Sequence, residues 1–243
     1  MLDSTALDKR RERTSVDRQE TPKAGRKKAY HHKDLRNALL AAALGLIEAR
    51  NGPHFSLREL ERKVGTSHAS AYRHFADKAA LLDALTAEGF AKLARVQDEE
   101  LARAGADPMD RLKALGLAYI RFALDNKGVF SLMFSDREDE NQDRSSRKAH
   151  NAQALATLVR CIADCQAAGL VADGDPMRIA GYVILATHGL AVYRTQGHQP
   201  LGGENDADFW PGIDAVNDMT IAPLLVNPPS AAEMSRRWFA RRA

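Results

Sequence analysis

Two cysteines in 243 residues, Cys161 and Cys165, are too few for a disulfide framework. The chain also lacks an apolar run of membrane-spanning length, and its first residues, MLDSTALDKRRER, lack the apolar centre of a secretory signal. The expectation is a cytoplasmic protein without membrane attachment. No glycine-rich phosphate loop, Ser-His-Asp order, paired-carboxylate setting or metal-ligand cluster is present, so no catalytic residue, cofactor or metal is assigned and an enzyme is not expected. Strand-like alternation is missing throughout, which leaves an all-α fold.

What is present is punctuated helix. Residues 33–50 repeat Leu35, Leu39, Ala43, Leu46 and Ile47 along one face, and Asn51-Gly52-Pro53 ends the segment. Residues 55–78, FSLRELERKVGTSHASAYRHFADK, then read as two short helices around a tight bend. Ser56 with Glu59 forms a capping box for a helix reaching Val64, and Gly65 breaks it. Ser67 caps a second helix, expected over 68–76, and Asp77 caps a third that runs towards Ala102. Leu57, Leu60, Val64, Ala71 and Phe75 are spaced to meet across the bend. Arg58, His68, Ser70, Tyr72, Arg73, His74 and Lys78 are left to point outward. A short exposed helix bearing hydroxyls, imidazoles and a guanidinium has the shape and chemistry of a major-groove reader. The net charge of +3 supports this through its distribution, with eleven Lys and Arg against six Asp and Glu in residues 1–36.

These residues carry a resemblance. The stretches YHHKDLRNALLAAALGLIEARNG and FSLRELERKVGTSHASAYRHFADKAALLDAL resemble the DNA-binding domain of TetR-type transcriptional regulators over about residues 30–90. AYIRFALDNKGVFSLMFS (118–135) and ATHGLAVY (186–193) resemble one TetR subgroup with a Trp-His-Gly motif, although Ile184 stands where that motif has its tryptophan. The resemblance implies an N-terminal three-helix helix-turn-helix domain joined by helix 4 to a helical C-terminal ligand-binding and dimerisation domain. It divides the chain into a disordered basic arm (1–28), a helix-turn-helix domain (29–80), an effector-binding and dimerisation domain (81–227) and a tail (228–243).

The roles implied on double-stranded DNA follow residue by residue. Ser67, His68, Ala69 and Ser70 enter the groove, with His68 and Ser70 within reach of base edges. Tyr72 and His74 hold phosphates, Arg73 reads guanine or binds phosphate, and Lys78 meets phosphate where helix 4 opens. Arg58 makes a backbone or base contact. Tyr30 and His31 lie against the DNA backbone, while His31-His32 also reads as a solvated cap or a metal pair. Lys27 and Lys28 either follow the minor groove or merely solubilise the arm.

The rest of the chain continues as helices. Asp107-Pro108 opens one with Leu112, Leu115, Tyr119, Phe122 and Ala123 on its apolar face, and Gly128 precedes the short segment VFSLMF. Residues 136–148 are too polar to bury. Two long apolar helices, 149–168 and 176–196, are expected to form a homodimer as a four-helix bundle. A last helix is expected over 209–226. Tyr119, Phe122, Phe130, Met133, Phe134 and His188 either line a cavity for an unknown small-molecule effector or simply fill the core. Cys161 and Cys165 are one turn apart on an apolar face, which reads as packing or as a redox pair. The basic aromatic end, RRWFARRA, reads as a frayed terminus or a partner segment. The sequence therefore points to a ligand-responsive repressor acting as a homodimer on a palindromic operator. The rival is a non-specific nucleoid-type DNA-binding protein without effector control.

Overall fold

The computed structural model describes residues 24–50, 52–135, 144–198, 206–234 and 236. Their regular structure is helical, apart from one antiparallel bridge between Val171 and Leu225. The N-terminal part comprises α1 (Ala24–Arg50), α2 (Leu57–Val64) and α3 (His68–Tyr72), and α4 (Lys78–Arg103) leads out of it. The second part comprises α5 (Pro108–Asp125), α6 (Lys127–Phe134), α7 (Arg144–Ala167), α8 (Pro176–Thr195) and α9 (Asp206–Ile221). A 3-10 turn (Ala222–Leu224) and the short α10 (Ala231–Met234) follow. No helix among the described residues is long and apolar enough to cross a membrane.

Local chemistry sets most of the boundaries. Ser56, Ser67, Asp77, Asp107 and Asp175 each accept a backbone N–H from the first turn of the helix they precede. Gly65 closes α2 at φ 74°, a left-handed conformation that costs a side-chain-bearing residue energy.

Four boundaries differ from expectation. α1 begins at Ala24, so residues 24–28 of the expected arm are helical, and residues 1–23 lie outside the described residues. α3 stops at Tyr72 because the amides of both His74 and Phe75 bond back to the Ala71 carbonyl, which tightens the chain and turns Phe75 into the core. α7 starts at Arg144, taking in part of the polar stretch whose residues 136–143 lie outside the described ones. α9 yields to the 3-10 turn around Pro223, whose ring cannot continue an α-helical ladder. Within the expected tail, Ser230 and Glu233 cap each other to start α10, and residues 237–243 lie outside the described ones.

Three apolar clusters form the interior, and α4 contributes to all of them. Leu81, Leu82 and Leu85 join α1, α2 and α3; Phe90 and Leu93 join α5 and α6; Leu101 joins α5, α7 and α8. α6 supplies Leu132 to the first cluster and Phe130 and Met133 to the second, so the two parts of the chain share a wall. Two glycines permit that approach. A Cβ on Gly89 would lie 2.7 Å from Met133 Sδ, and one on Gly128 would lie 2.6 Å from Glu48 Cγ.

Gly65→Ala should lower the unfolding free energy by about 1–2 kcal/mol through its positive φ, and Asp77→Ala by about 1 kcal/mol through the lost cap. Urea denaturation of the full chain measures both. Unaltered stability in Gly65→Ala would mean that the bend does not hold a left-handed residue.

Candidate nucleic-acid interface and effector cavity

The bend is held by its apolar side and leaves its polar side open. Leu60, Ala71 and Phe75 are buried, with Leu57 and Val64 packed against the same cluster. Arg58, Ser67, His68, Ala69, Tyr72 and Arg73 are exposed on the other side, and Ser70, His74 and Lys78 are half-buried. A short polar ladder orders this surface. Ser67 Oγ accepts from the Ser70 amide at 3.3 Å and donates to Ser70 Oγ at 2.9 Å, and Arg73 donates to the same oxygen at 3.0 Å.

His68 is the most constrained member of this surface. Its Nδ1 lies 2.8 Å from Oε1 of Glu61, and its ring centroid is 4.4 Å from that of Tyr72. An ionised carboxylate only accepts, so the bond places the proton on Nδ1 and leaves Nε2 with a lone pair in the neutral ring. Glu61 was missed in the sequence, where it was given no role. It is in fact only 7% exposed. The one available signal was its place beside Leu60 on the face turned to the bend.

Two further contacts depart from expectation. Lys78 is drawn inward: its ammonium donates to the Pro53 carbonyl and stands 4.9 Å over the Phe55 ring, so it serves the α1–α2 loop. The Glu59 carboxylate is held by Arg50, which also donates to the His54 carbonyl. Glu59 is thus engaged across the loop, while Ser56 caps α2 through the Glu59 amide. The Arg50 hydrogen bond holds the Glu59 carboxyl below its ordinary pKa. Lys27, Lys28, Tyr30 and His31 fall on the first turns of α1, with side chains outside those described.

Aromatic rings gather where α5, α6 and α8 meet. Phe134 stands 4.6 Å from the His188 ring and 5.0 Å from Phe130, and the Tyr119 hydroxyl is 2.7 Å from His188 Nδ1. Burial raises the Tyr119 pKa and lowers that of His188, so at neutral pH both are uncharged and the phenol donates to the imidazole. Two spaces share Phe134 as a wall. An inner cavity of about 120 Å³ is lined by Phe90, Leu93, Tyr119, Leu158 and Ile184 among others. An outer cleft of about 990 Å³ lies where Glu48 of α1 faces Lys127, Phe130 and Ser131 of α6 and His188 and Gln196 near the end of α8. Phe122 and Met133 are buried in the adjoining cluster, Met133 against Gly89. Gly116 also lines the inner cavity, and a Cβ there would lie 2.3 Å from Asn217 Oδ1.

α8 presents an uncovered apolar face. Tyr182, Leu185 and Tyr193 are exposed, Leu185 to 76%, and the space around Gly181 and Gly189 is open. Cys161 and Cys165 lie on the buried face of α7, and burial raises both thiols, Cys165 to about 11. Thiols so shifted are poor thiolates, which matches packing and not redox chemistry.

Comparison with known proteins agrees with this geometry. Residues 39–85 match the model of bacterial regulatory proteins of the tetR family, and residues 112–216 match that of the tetracyclin repressor-like C-terminal domain. A structure from Rhodococcus sp. RHA1, described as a protein with unknown function, is 31% identical with a TM-score of 0.67, over 78% of this chain and 95% of that one. PfmR, a TetR family transcriptional regulator from Thermus thermophilus, superposes with a TM-score of 0.60 at 19% identity, covering 75% of this chain and 96% of that one. Two nucleoid occlusion factors named SlmA are similar in sequence. That of Alteromonas mediterranea is 28% identical over 113 residues, 45% of this chain and 55% of its own length. That of Marinomonas sp. is 27% identical over 107 residues, 42% and 52% respectively. The chain thus spans about half the length of these curated relatives. None of these matches carries the narrower Trp-His-Gly subgroup, and the fold and family are those of regulators, not enzymes. With a helix-turn-helix at its N-terminal end and this helical domain behind it, the chain belongs to the TetR family of bacterial regulatory proteins.

Proposed function

We propose that the protein is a ligand-responsive transcriptional repressor that binds a palindromic operator as a homodimer in the cytoplasm. The carrying observation is the bend surface, where Ser67, His68, Tyr72 and Arg73 stand outward on a helix whose other side is buried. α3 offers little more than one turn to the groove, which is too few base contacts for genomic specificity without a second copy. The uncovered face of α8 supports the pairing, since Tyr182, Leu185 and Tyr193 with Gly181 and Gly189 beside them suit close helix–helix contact. α7 packs beside α8, and the proposed interface takes it as the second helix of each protomer.

Response to a ligand follows from the shared wall. An effector weakens DNA binding only by favouring a conformation that binds DNA less well. The aromatic site around Tyr119, Phe134 and His188 adjoins α6, which packs through Leu132 and Gly128 against α1. Occupation of that site therefore moves α6 and α4, and with them the separation of the two recognition helices. A second reading, a nucleoid-type binder, has support in the resemblance to the two nucleoid occlusion factors. Affinity titrations on a selected operator and on scrambled duplexes separate the two, because equal affinity on all of them would favour the nucleoid reading.

On the operator, Tyr72→Ala should weaken binding to all duplexes alike. His68→Ala and Arg73→Ala should instead change sequence preference, by about 1–3 kcal/mol per lost base contact. Equal losses everywhere for all three variants would overturn this division. Leu185→Asp should leave the helical content intact and convert the protein to a monomer with little operator affinity, as read by sedimentation and titration; a stable dimer in that variant would remove α8 from the interface. In the DNA-bound dimer the two recognition helices should stand about 34–36 Å apart or slightly more. Nitrogen NMR of His68 at pH 8 should show the Nδ1–H tautomer, and Glu61→Leu should shift it towards Nε2–H. An unchanged tautomer would mean that Glu61 does not orient the imidazole.

A further inference from the structure

The inner cavity contains one polar group that its walls do not satisfy. Gln97, on α4, lines the cavity, is 6% exposed, and its side-chain oxygen Oε1 is buried without a hydrogen-bond partner. An amide carbonyl taken from water and left unpaired opposes folding, so a retained one marks a place where something else completes it. The other polar groups of the lining are already engaged. Thr187 donates to the Val183 carbonyl at 2.8 Å, and Tyr119 donates to His188 at 2.7 Å. Among the described residues the lining includes no Lys, Arg, His, Asp or Glu, so a charged ligand would find no counter-ion there. The remaining walls are aliphatic or aromatic, with Phe90, Tyr119 and Phe134 presenting rings.

We infer that this cavity takes a compact, uncharged, mainly apolar molecule with a single hydroxyl, an alcohol or phenol, whose O–H donates to Gln97 Oε1. The inference rests on the proposed effector role of the C-terminal domain and adds the chemistry that selects the effector. A cavity of about 120 Å³ sets the scale at a body of about five or six non-hydrogen atoms, since one of about 150 Å³ takes benzene. The hydroxyl supplies the missing donor, and the apolar body replaces empty space beside the rings. An ether or hydrocarbon of equal size fills the same room but leaves the amide carbonyl unpaired. A carboxylate is excluded by its charge.

The test uses the full-length protein with cyclopentanol, its isomeric ether tetrahydropyran and butyrate, in calorimetric titration. The alcohol should bind about tenfold more tightly than the ether, the ratio one hydrogen bond confers, and butyrate should not bind. In the near-isosteric Gln97→Met the alcohol and the ether should bind equally, and the empty variant should melt at a higher Tm, since a buried orphan has been removed. Gln97→Leu serves as a second variant with the same expectation. If the alcohol and ether bind equally to the unaltered protein, the cavity keeps its effector role and the assignment to Gln97 is overturned. A preference for the ether, or an alcohol preference that survives in both variants, overturns it as well. If neither neutral compound binds, the cavity is not a ligand site and the proposed effector role falls with the inference. A lowered Tm in both empty variants would show that Oε1 already has a partner.

Discussion

The structure depends on the burial of one stripe along α4. Leu81, Leu82 and Leu85 belong to the cluster that holds the recognition bend, Phe90 and Leu93 to the middle cluster, and Leu101 to the cluster of α5, α7 and α8. At about 1.5 Å rise per residue, a helix of this length places its two ends on the order of 40 Å apart. Close packing along that whole distance means that a tilt at one end must be absorbed at the other. Reading surface and cavity are therefore not separate modules joined by a tether; they are two stations on one buried rod.

α6 is the second connection, and it is short. It crosses α4 at Gly89, where Met133 and Val129 come within reach of the backbone, and touches α1 at Gly128, under the Glu48 side chain. Such contacts do not deform smoothly, because a displaced α6 must either hold these seats or leave them. The aromatic group of Phe130, Phe134, Tyr119 and His188 lies beside this crossing, and the Tyr119–His188 bond joins α5 to α8 across it. The rings thus lie against a joint with few intermediate positions.

What the sequence made legible was mostly local. Caps at Ser56, Ser67, Asp77 and Asp107, the left-handed Gly65 and the apolar stripe of α1 all follow from residues a few positions apart. The outward set on α3 was legible for the same reason, since burying Ala71 and Phe75 fixes which way their neighbours point. Tertiary decisions were not. The end of α3 is set by Phe75 entering the core, and the inward turn of Lys78 by a carbonyl twenty-five positions away in sequence, at Pro53. Glu61 and Gln97 look like ordinary charged and polar surface in the chain, and only the packing around them reveals that they are buried. The aromatic and methionine set around His188 divided along this line. Tyr119, Phe130, Phe134 and His188 face the spaces, whereas Phe122 and Met133 were drawn into packing by the same spacing.

Gly116 gives the cavity a wall only one backbone thick. On one side it faces the inner space, and on the other it lies against Asn217 of α9, whose amide donates to the Lys113 carbonyl at 3.0 Å. A side chain at position 116 would collide with Asn217 and break that contact, so this wall has no freedom to change size. A change in the size of this space must then proceed through Leu115, Leu155, Leu158, Val183 or Ile184, whose side chains can be trimmed or extended without unseating α9. Descendants of this chain would be expected to vary the cavity along its α7 and α8 side, and to keep glycine where it backs onto α9.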